Sequence, residues 1–310
     1  MRALVIGATG YVGSAVARNF RAHGYETHGQ ARNPHNVAVL EEAGITPIHG
    51  DLNDLAHLAA LSEAYDLTVL AGVGGRDQEA PAVSAFIEAC RGSQRRFIYT
   101  SGTGVLGVES HDGRWNDYAF EEDDPFPFPG GFSRTWRIET ENLVRRAGAE
   151  GVQAMVLRPP LIYGHGGSVQ VPAIFQSVQK TGKACYVGRG LNLYSNVHVD
   201  DLAEAYRLAA EKGAPGALYH TVSGEADFRS IAEAVAVVMG CETRSVTFEE
   251  GCEIWGELVT AAALAVNSRS VPRRTRDELG WEPREIDLIE DIRNGSYRAR
   301  YAGAIPTSNR

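Results

Sequence analysis

The stretch Ala3-Leu4-Val5-Ile6-Gly7-Ala8-Thr9-Gly10-Tyr11-Val12-Gly13 decides the fold. Its first four residues are apolar and of strand length. The last seven read G-x-x-G-x-x-G, and an amphipathic stretch over 11–23 follows, closed by Gly24. Each glycine has a physical task in such a turn. Gly7 permits the tight bend, Gly10 lets the backbone approach a pyrophosphate, and Gly13 lets the helix pack closely on the strand. The helix start offers unpaired N–H groups and a positive dipole end to phosphate. Gly7, Thr9, Gly10, Tyr11, Val12 and Gly13 are therefore candidate cofactor-binding residues. A turn that serves packing alone is the competing reading, and the strand and helix on its two sides favour a dinucleotide.

Outward from this turn, strands are predicted at 3–6, 26–31, 46–49, 67–71, 96–100 and 153–158. Helices are predicted at 11–23, 37–43, 55–64, 81–90 and 132–147. This alternation implies an α/β fold, a doubly wound parallel Rossmann sheet with helices on both faces. Residues 1–160 form the expected NADP(H)-binding domain. Residues 161–310 form a smaller, mainly substrate-binding annex, with some segments returning to the core. The annex is expected to hold helices near 170–182, 200–212, 228–239 and 251–265, and a strand at 217–222. The segment 107–131 is too long for an ordinary connection. Its acidic run, Glu121, Glu122, Asp123 and Asp124, reads as a solvated loop face.

Of the 310 residues, 44% are hydrophobic and 22% charged, which excludes disorder, collagen and coiled coil. The 30 basic and 39 acidic residues leave a net charge of −9, against a blanket nucleic-acid-binding surface. Cys90, Cys185, Cys241 and Cys252 lack metal-binding spacing and read as free thiols. The uncharged stretch 159–179 contains Pro159, Pro160 and Pro172, so it is no membrane span. The expectation is a soluble cytoplasmic protein without a signal peptide, acting on a small molecule, with a homodimer left open.

Strand two ends in Gln30-Ala31-Arg32-Asn33-Pro34. An NAD site usually carries a carboxylate there for the ribose 2′-hydroxyl. Arg32 instead suits a 2′-phosphate, so NADP(H) is favoured over NAD(H). Asp51 and Leu52 are expected near the adenine. Ala71, Gly72 and Val73 are expected beside the central ribose and phosphates.

With these features the chain resembles the extended or atypical short-chain dehydrogenase/reductases of the NAD-dependent epimerase/dehydratase type. The resemblance rests on 7–13, His49-Gly50-Asp51-Leu52, Phe97-Ile98-Tyr99-Thr100-Ser101 and Leu157-Arg158-Pro159-Pro160-Leu161-Ile162-Tyr163-Gly164. Asn196-Val197-His198-Val199-Asp200-Asp201 and Glu278-Leu279-Gly280-Trp281-Glu282-Pro283 extend it over nearly the whole chain. It implies a substrate pocket between sheet and annex, with Thr100, Pro159, Pro160 and Leu161 beside the cofactor. It also implies a Tyr-x-x-x-Lys pair on the helix between strands five and six, and a Ser or Thr at the end of strand five.

Here the chain departs from the family. The helix reads Gly131-Phe132-Ser133-Arg134-Thr135-Trp136-Arg137, and Gly102 stands at the usual hydroxyl position. Phe132 and Trp136, or Ser133 and Arg137 one residue on, occupy the pair's positions. Lys180 is the first lysine of the chain. Ser101, Thr103, Arg137 and Tyr163 are the candidate catalytic residues, with Arg137 taking the cationic role and Tyr118 or His165 as further proton sources. An NAD(P)-dependent oxidoreductase or epimerase-like enzyme on a small carbonyl or alcohol is the first reading. A non-redox isomerase, lyase or cyclase is the second, and an NADP(H)-binding sensor without turnover the third. The aromatic group around 115–136 points to a substrate with an apolar or aromatic part. Arg189, Lys180 and Lys183 could serve a nucleotide-sugar diphosphate. Asp200-Asp201 reads as a helix N-cap, and no metal is expected.

Overall fold

Five strands, β1 (Arg2–Ile6), β2 (Glu26–Ala31), β3 (Thr46–His49), β4 (Leu67–Leu70) and β5 (Arg96–Thr100), join Ala154–Arg158 and Leu218–His220 in one sheet. All its pairings are parallel. The structure is a computed structural model that describes residues 1–303, apart from Leu52, Val73, Gly74 and residues 129–133. The order across the sheet is β3-β2-β1-β4-β5, then Ala154–Arg158 and Leu218–His220. It reverses between β1 and β4, which opens a crevice at the carboxyl ends of those strands.

The helices α1 (Tyr11–Ala22), α2 (Pro34–Glu42), α3 (Leu55–Ser62), α4 (Arg76–Cys90) and α5 (Arg134–Ala149) alternate with the strands. Successive residues of β1 point to opposite faces, and both faces are covered. Ala3 and Val5 meet Val16 and Phe20 of α1 and Tyr206 of the helix Val199–Lys212. Leu4 and Ile6 meet Val83 and Phe86 of α4 and Val144 of α5. A second core lies in the C-terminal half, around Phe175, Phe228, Val235 and Trp255. There Gly224–Asp227, Leu193–His198 and Leu161–Tyr163 form a three-stranded sheet.

Some elements differ from the sequence reading. The α4 helix starts at Arg76, before Pro81, because Gly75 in extended conformation caps it while its N–H donates to Gln78. The stretch expected as one helix over 251–265 divides at Gly256, whose φ of +86° ends Phe248–Trp255. The acidic run is solvated only in part: Asp123 and Asp124 are exposed, while Glu122 is not. Glu122 is buried and accepts from the Arg274 and Thr275 amides, both at 3.2 Å, and the Thr275 hydroxyl. Its carboxylate thus takes up free N–H groups at the start of Arg273–Leu279. Asp123 pairs with Arg145 and Arg274. The insert is consequently strapped to α5 and to the C-terminal part of the chain.

All four cysteines are free thiols. Among the described residues no helix is long and apolar enough to cross a membrane.

A buried ionic group ties the sheet edge together. Arg158 pairs with Glu141, its Nε at 2.8 Å from Oε1, and the His220 ring lies 3.4 Å from its Nη1. His220 Nδ1 donates to the Val271 carbonyl, so Nε2 faces the cation as an acceptor. Burial, then the Arg158 charge, pushes the His220 pKa down to about 3. Between about pH 3 and 6.5 the unfolded chain binds a proton at this ring and the folded chain does not. Stability therefore falls as acid is added, by up to about 1.4 kcal/mol per pH unit from this ring. We expect urea titrations of His220→Gln to lose that part of the acid slope between pH 6 and 4.

Candidate functional site

The floor of the crevice is backbone packed on backbone. Gly7 has φ +85°, and a Cβ there would lie 2.6 Å from the Gly72 nitrogen. A Cβ on Gly13 would fall on the Gly7 carbonyl. The Gly10 amide donates to the Gly7 carbonyl at 2.9 Å, and the Ala71 and Gly72 amides donate to Ile6. Gly10 caps α1 without a side-chain bond, which leaves the first amides, of Tyr11, Val12 and Gly13, directed at the crevice mouth. The Tyr11 side chain is occupied elsewhere. Its hydroxyl donates to the Gly164 carbonyl at 2.7 Å, and burial raises its pKa.

Beside the loop lies a cleft of about 310 Å³ lined by Thr9, Gln30, Arg32, Asn36 and Asp51. Asn33 caps α2 by accepting from the Asn36 amide, and the Asn36 side chain reaches Thr9 at 3.4 Å. Asp51 holds the Asn53 amide and side chain, both at 2.8 Å. Arg32 is exposed at the rim and, among the described residues, has no ion-pair partner. Leu52 and Val73 lie outside the described residues, as do Phe132 and Ser133.

The other end of the crevice is where β5 stops. Thr100 turns to the helix Val199–Lys212, its hydroxyl 2.6 Å from that of Tyr206. Ser101 is buried, and its Oγ has no hydrogen-bond partner among the described residues. The Thr103 amide donates to the Pro159 carbonyl at 2.9 Å, while Pro160 and Leu161 are buried behind it. The Ser268 hydroxyl donates to the Thr103 carbonyl at 2.8 Å and lies 3.2 Å from Thr103 Oγ1. Arg137 comes in from α5. Its Nη1 is 3.8 Å from the place a Cβ on Gly102 would take, so a cation lies against the stretch 101–103.

Arg137 is held from behind. Its Nη2 is 3.7 Å from Oε2 of Glu79 on α4, a carboxylate that is almost wholly buried. The Tyr99 hydroxyl donates to the other Glu79 oxygen. Burial raises the Glu79 pKa, against the opposing pull of Arg137 and of Tyr99. Sequence reading missed Glu79, because its partner is 58 positions away and no motif joins them. It also missed Tyr194, whose phenol pKa is raised by burial against the pull of the Ser268 and Thr103 hydroxyls beside it.

Several candidates are not brought here. Tyr163 is buried, donates to the Glu285 carbonyl at 2.7 Å and packs edge-on against His198. It is a wedge under the C-terminal segment, because the strand Leu161–Tyr163 aligns it with His198 rather than with β5. Tyr118 is about half exposed and sits against Phe128. His165 bonds Asp200 at 2.9 Å. The cap of Val199–Lys212 is His198, which accepts from the Asp200 amide, while Asp201 holds the Arg284 and Glu285 amides. His165, His198 and Asp200 bring three ligand-type atoms within 4.8 Å of one another. Lys180 bonds the Ile254 carbonyl, Lys183 pairs with Glu242 and Arg189 is exposed. Both lysines are thus engaged within the C-terminal half.

A glycine loop at the reversal of a doubly wound parallel sheet defines a Rossmann dinucleotide-binding protein. The chain belongs to the NAD-dependent epimerase/dehydratase family, whose model matches residues 3–222. It is 31% identical over 309 residues to an uncharacterized protein of Schizosaccharomyces pombe, covering 96% of this chain and 100% of that one. It is 29% identical over 245 residues to a 2-alkyl-3-oxoalkanoate reductase of Stenotrophomonas maltophilia, covering 75% and 71% of the two chains. In fold it matches dTDP-glucose 4,6-dehydratase of Bacillus anthracis in complex with NAD, with TM-score 0.77 at 16% identity, covering 97% and 96%. Family and relatives together support an NAD(P)-dependent, oxidoreductase-like function with a nicotinamide dinucleotide cofactor.

The residues present fit that group: a glycine floor open to a pyrophosphate, unpaired helix amides, and a polar cleft of adenosine size. The glycine contacts lead to a direct expectation. Gly13→Ala puts a methyl group on backbone that cannot yield, at a cost of roughly 1–3 kcal/mol. Urea denaturation is expected to show that loss, and calorimetry a weakened affinity for the dinucleotide.

Proposed function

We propose that this protein is an NADP(H)-dependent oxidoreductase that interconverts a small organic carbonyl and its alcohol. One observation carries the reading: the Arg137 guanidinium, backed by the buried Glu79, lies against the end of β5. A fixed cation in a water-poor site favours the negative charge that grows on a carbonyl oxygen during reduction. Bound there, the cofactor would supply the hydride. Gly7, Gly10, Gly13 and the α1 amides would hold its pyrophosphate, and Asp51 its adenosine end. Arg32, exposed at the rim and without an ion-pair partner among the described residues, would take the 2′-phosphate of NADP(H).

The substrate class follows from charge and surroundings. The lysines of the C-terminal half are already engaged, so nothing gathers them for a diphosphate. Phe120, Phe126 and Phe128 cluster with Val105, Leu106 and Ile138, the residue that follows Arg137 on α5. That supports a compact substrate with an apolar part. The name of the Stenotrophomonas relative, a reductase of 3-oxo acids bearing an alkyl group, is of the same class. The C-terminal half would supply the substrate wall.

Two variants test this. Arg32→Ala is expected to weaken NADPH binding by about tenfold or more, the worth of one charge-assisted hydrogen bond, and to leave NADH binding unchanged. Equal losses for both cofactors would remove Arg32 as the phosphate ligand. Arg137→Ala is expected to lower kcat/KM by about 10²-fold on any carbonyl that wild type reduces. Unchanged kinetics would end its catalytic role.

A further inference from the structure

Reducing a carbonyl takes a proton for the oxygen as well as a hydride for the carbon. Arginine stays protonated and cannot give one. The acids around the end of β5 are mostly committed. Tyr99 donates to Glu79, which faces Arg137 as its counter-charge. Tyr206 is bonded to Thr100, and Tyr163 to Glu285.

Tyr194 is different. It stands second in the strand Leu193–His198, with its ring buried edge-on to Phe228. Its hydroxyl oxygen is 3.7 Å from the place a Cβ on Gly104 would take, as Arg137 is 3.8 Å from the corresponding place on Gly102. Phenol and guanidinium therefore approach the same three-residue stretch, with Thr103 between them. The hydroxyls of Thr103 and Ser268, 3.2 Å from one another, lie beside the phenol and oppose the rise that burial gives its pKa.

We propose that Tyr194 gives the proton to the substrate oxygen, and that Arg137 stabilises the phenolate left behind. The proposal rests on the reductase reading above. In the step, hydride adds to the carbonyl carbon and the C=O π pair moves to oxygen. That oxygen takes the proton as the Tyr194 O–H bond breaks. Once the alcohol has left, water entering the emptied site returns a proton to the phenolate. Burial raises the phenol pKa, while both hydroxyls and Arg137 oppose that rise, so the ring stays a proton donor at neutral pH. Ser101 Oγ, buried and without a hydrogen-bond partner among the described residues, is available to hold the substrate oxygen.

The test compares full-length wild type, Tyr194→Phe and Ser268→Ala with NADPH on a panel of 2-alkyl-3-oxo acids and small ketones. NADPH affinity is measured separately by calorimetry. Tyr194→Phe is expected to lose about 10²-fold or more in kcat, with KM and NADPH affinity within threefold of wild type. A kcat within threefold of wild type overturns the proposal and leaves the reductase reading intact. Should the Phe variant fail to bind NADPH, Ser268→Ala, which removes the hydroxyl beside the phenol, decides: a loss of about tenfold in kcat supports the proposal, and unchanged kcat overturns it. A wild type that binds NADPH but reduces nothing on the panel ends the reductase reading, and the role of Tyr194 with it.

Discussion

The structure depends on one close approach of backbone to backbone, where Gly7 meets both Gly72 at the exit of β4 and Gly13 in the first turn of α1. No side chain fits at these contacts. They fix how near α1 lies to the sheet, and hence where its unpaired amides point. The reversal of strand order between β1 and β4 puts this contact at the mouth of the crevice. A phosphate-sized anion and the end of β5 are thereby related through a rigid sheet. Loops need not adjust for the two to face one another.

Charge is placed in this molecule by burying its partner. Glu79 is hidden, and its cation Arg137 is the side that comes forward. Glu122 is hidden, and with it the start of the helix Arg273–Leu279 and the long insert are held in place. Glu141 is hidden, and Arg158 with it, against a neutral His220. A buried carboxylate without its cation would be costly, so each pair fixes geometry even where its net contribution to stability is small. The same low polarity strengthens the field of Arg137 at the end of β5.

Much of this was legible in the sequence because it is local. The glycine turn, the alternation of strands and helices, and the family motifs each need only a few consecutive residues. Arg32 at the end of β2 was readable for the same reason. Elements of the C-terminal half were harder. Strands of three to six residues such as Leu161–Tyr163 and Gly224–Asp227 carry too little pattern to stand out. Glu122 looked like solvent-facing charge because its partners, Arg274 and Thr275, are some 150 positions away. Tyr163 looked catalytic because it stands in a family motif, and its register with His198 turns it elsewhere.

By itself, the sequence determined the sheet, its parallel sense and the dinucleotide loop, since each is written in the identity and spacing of neighbours. Only the tertiary structure decided which groups meet at the end of β5. Glu79, Arg137 and Tyr194 come from two helices and a strand of different halves of the chain. Their meeting depends on long-range packing, which brings remote segments together at distances of a few ångströms and leaves no periodic trace in the chain.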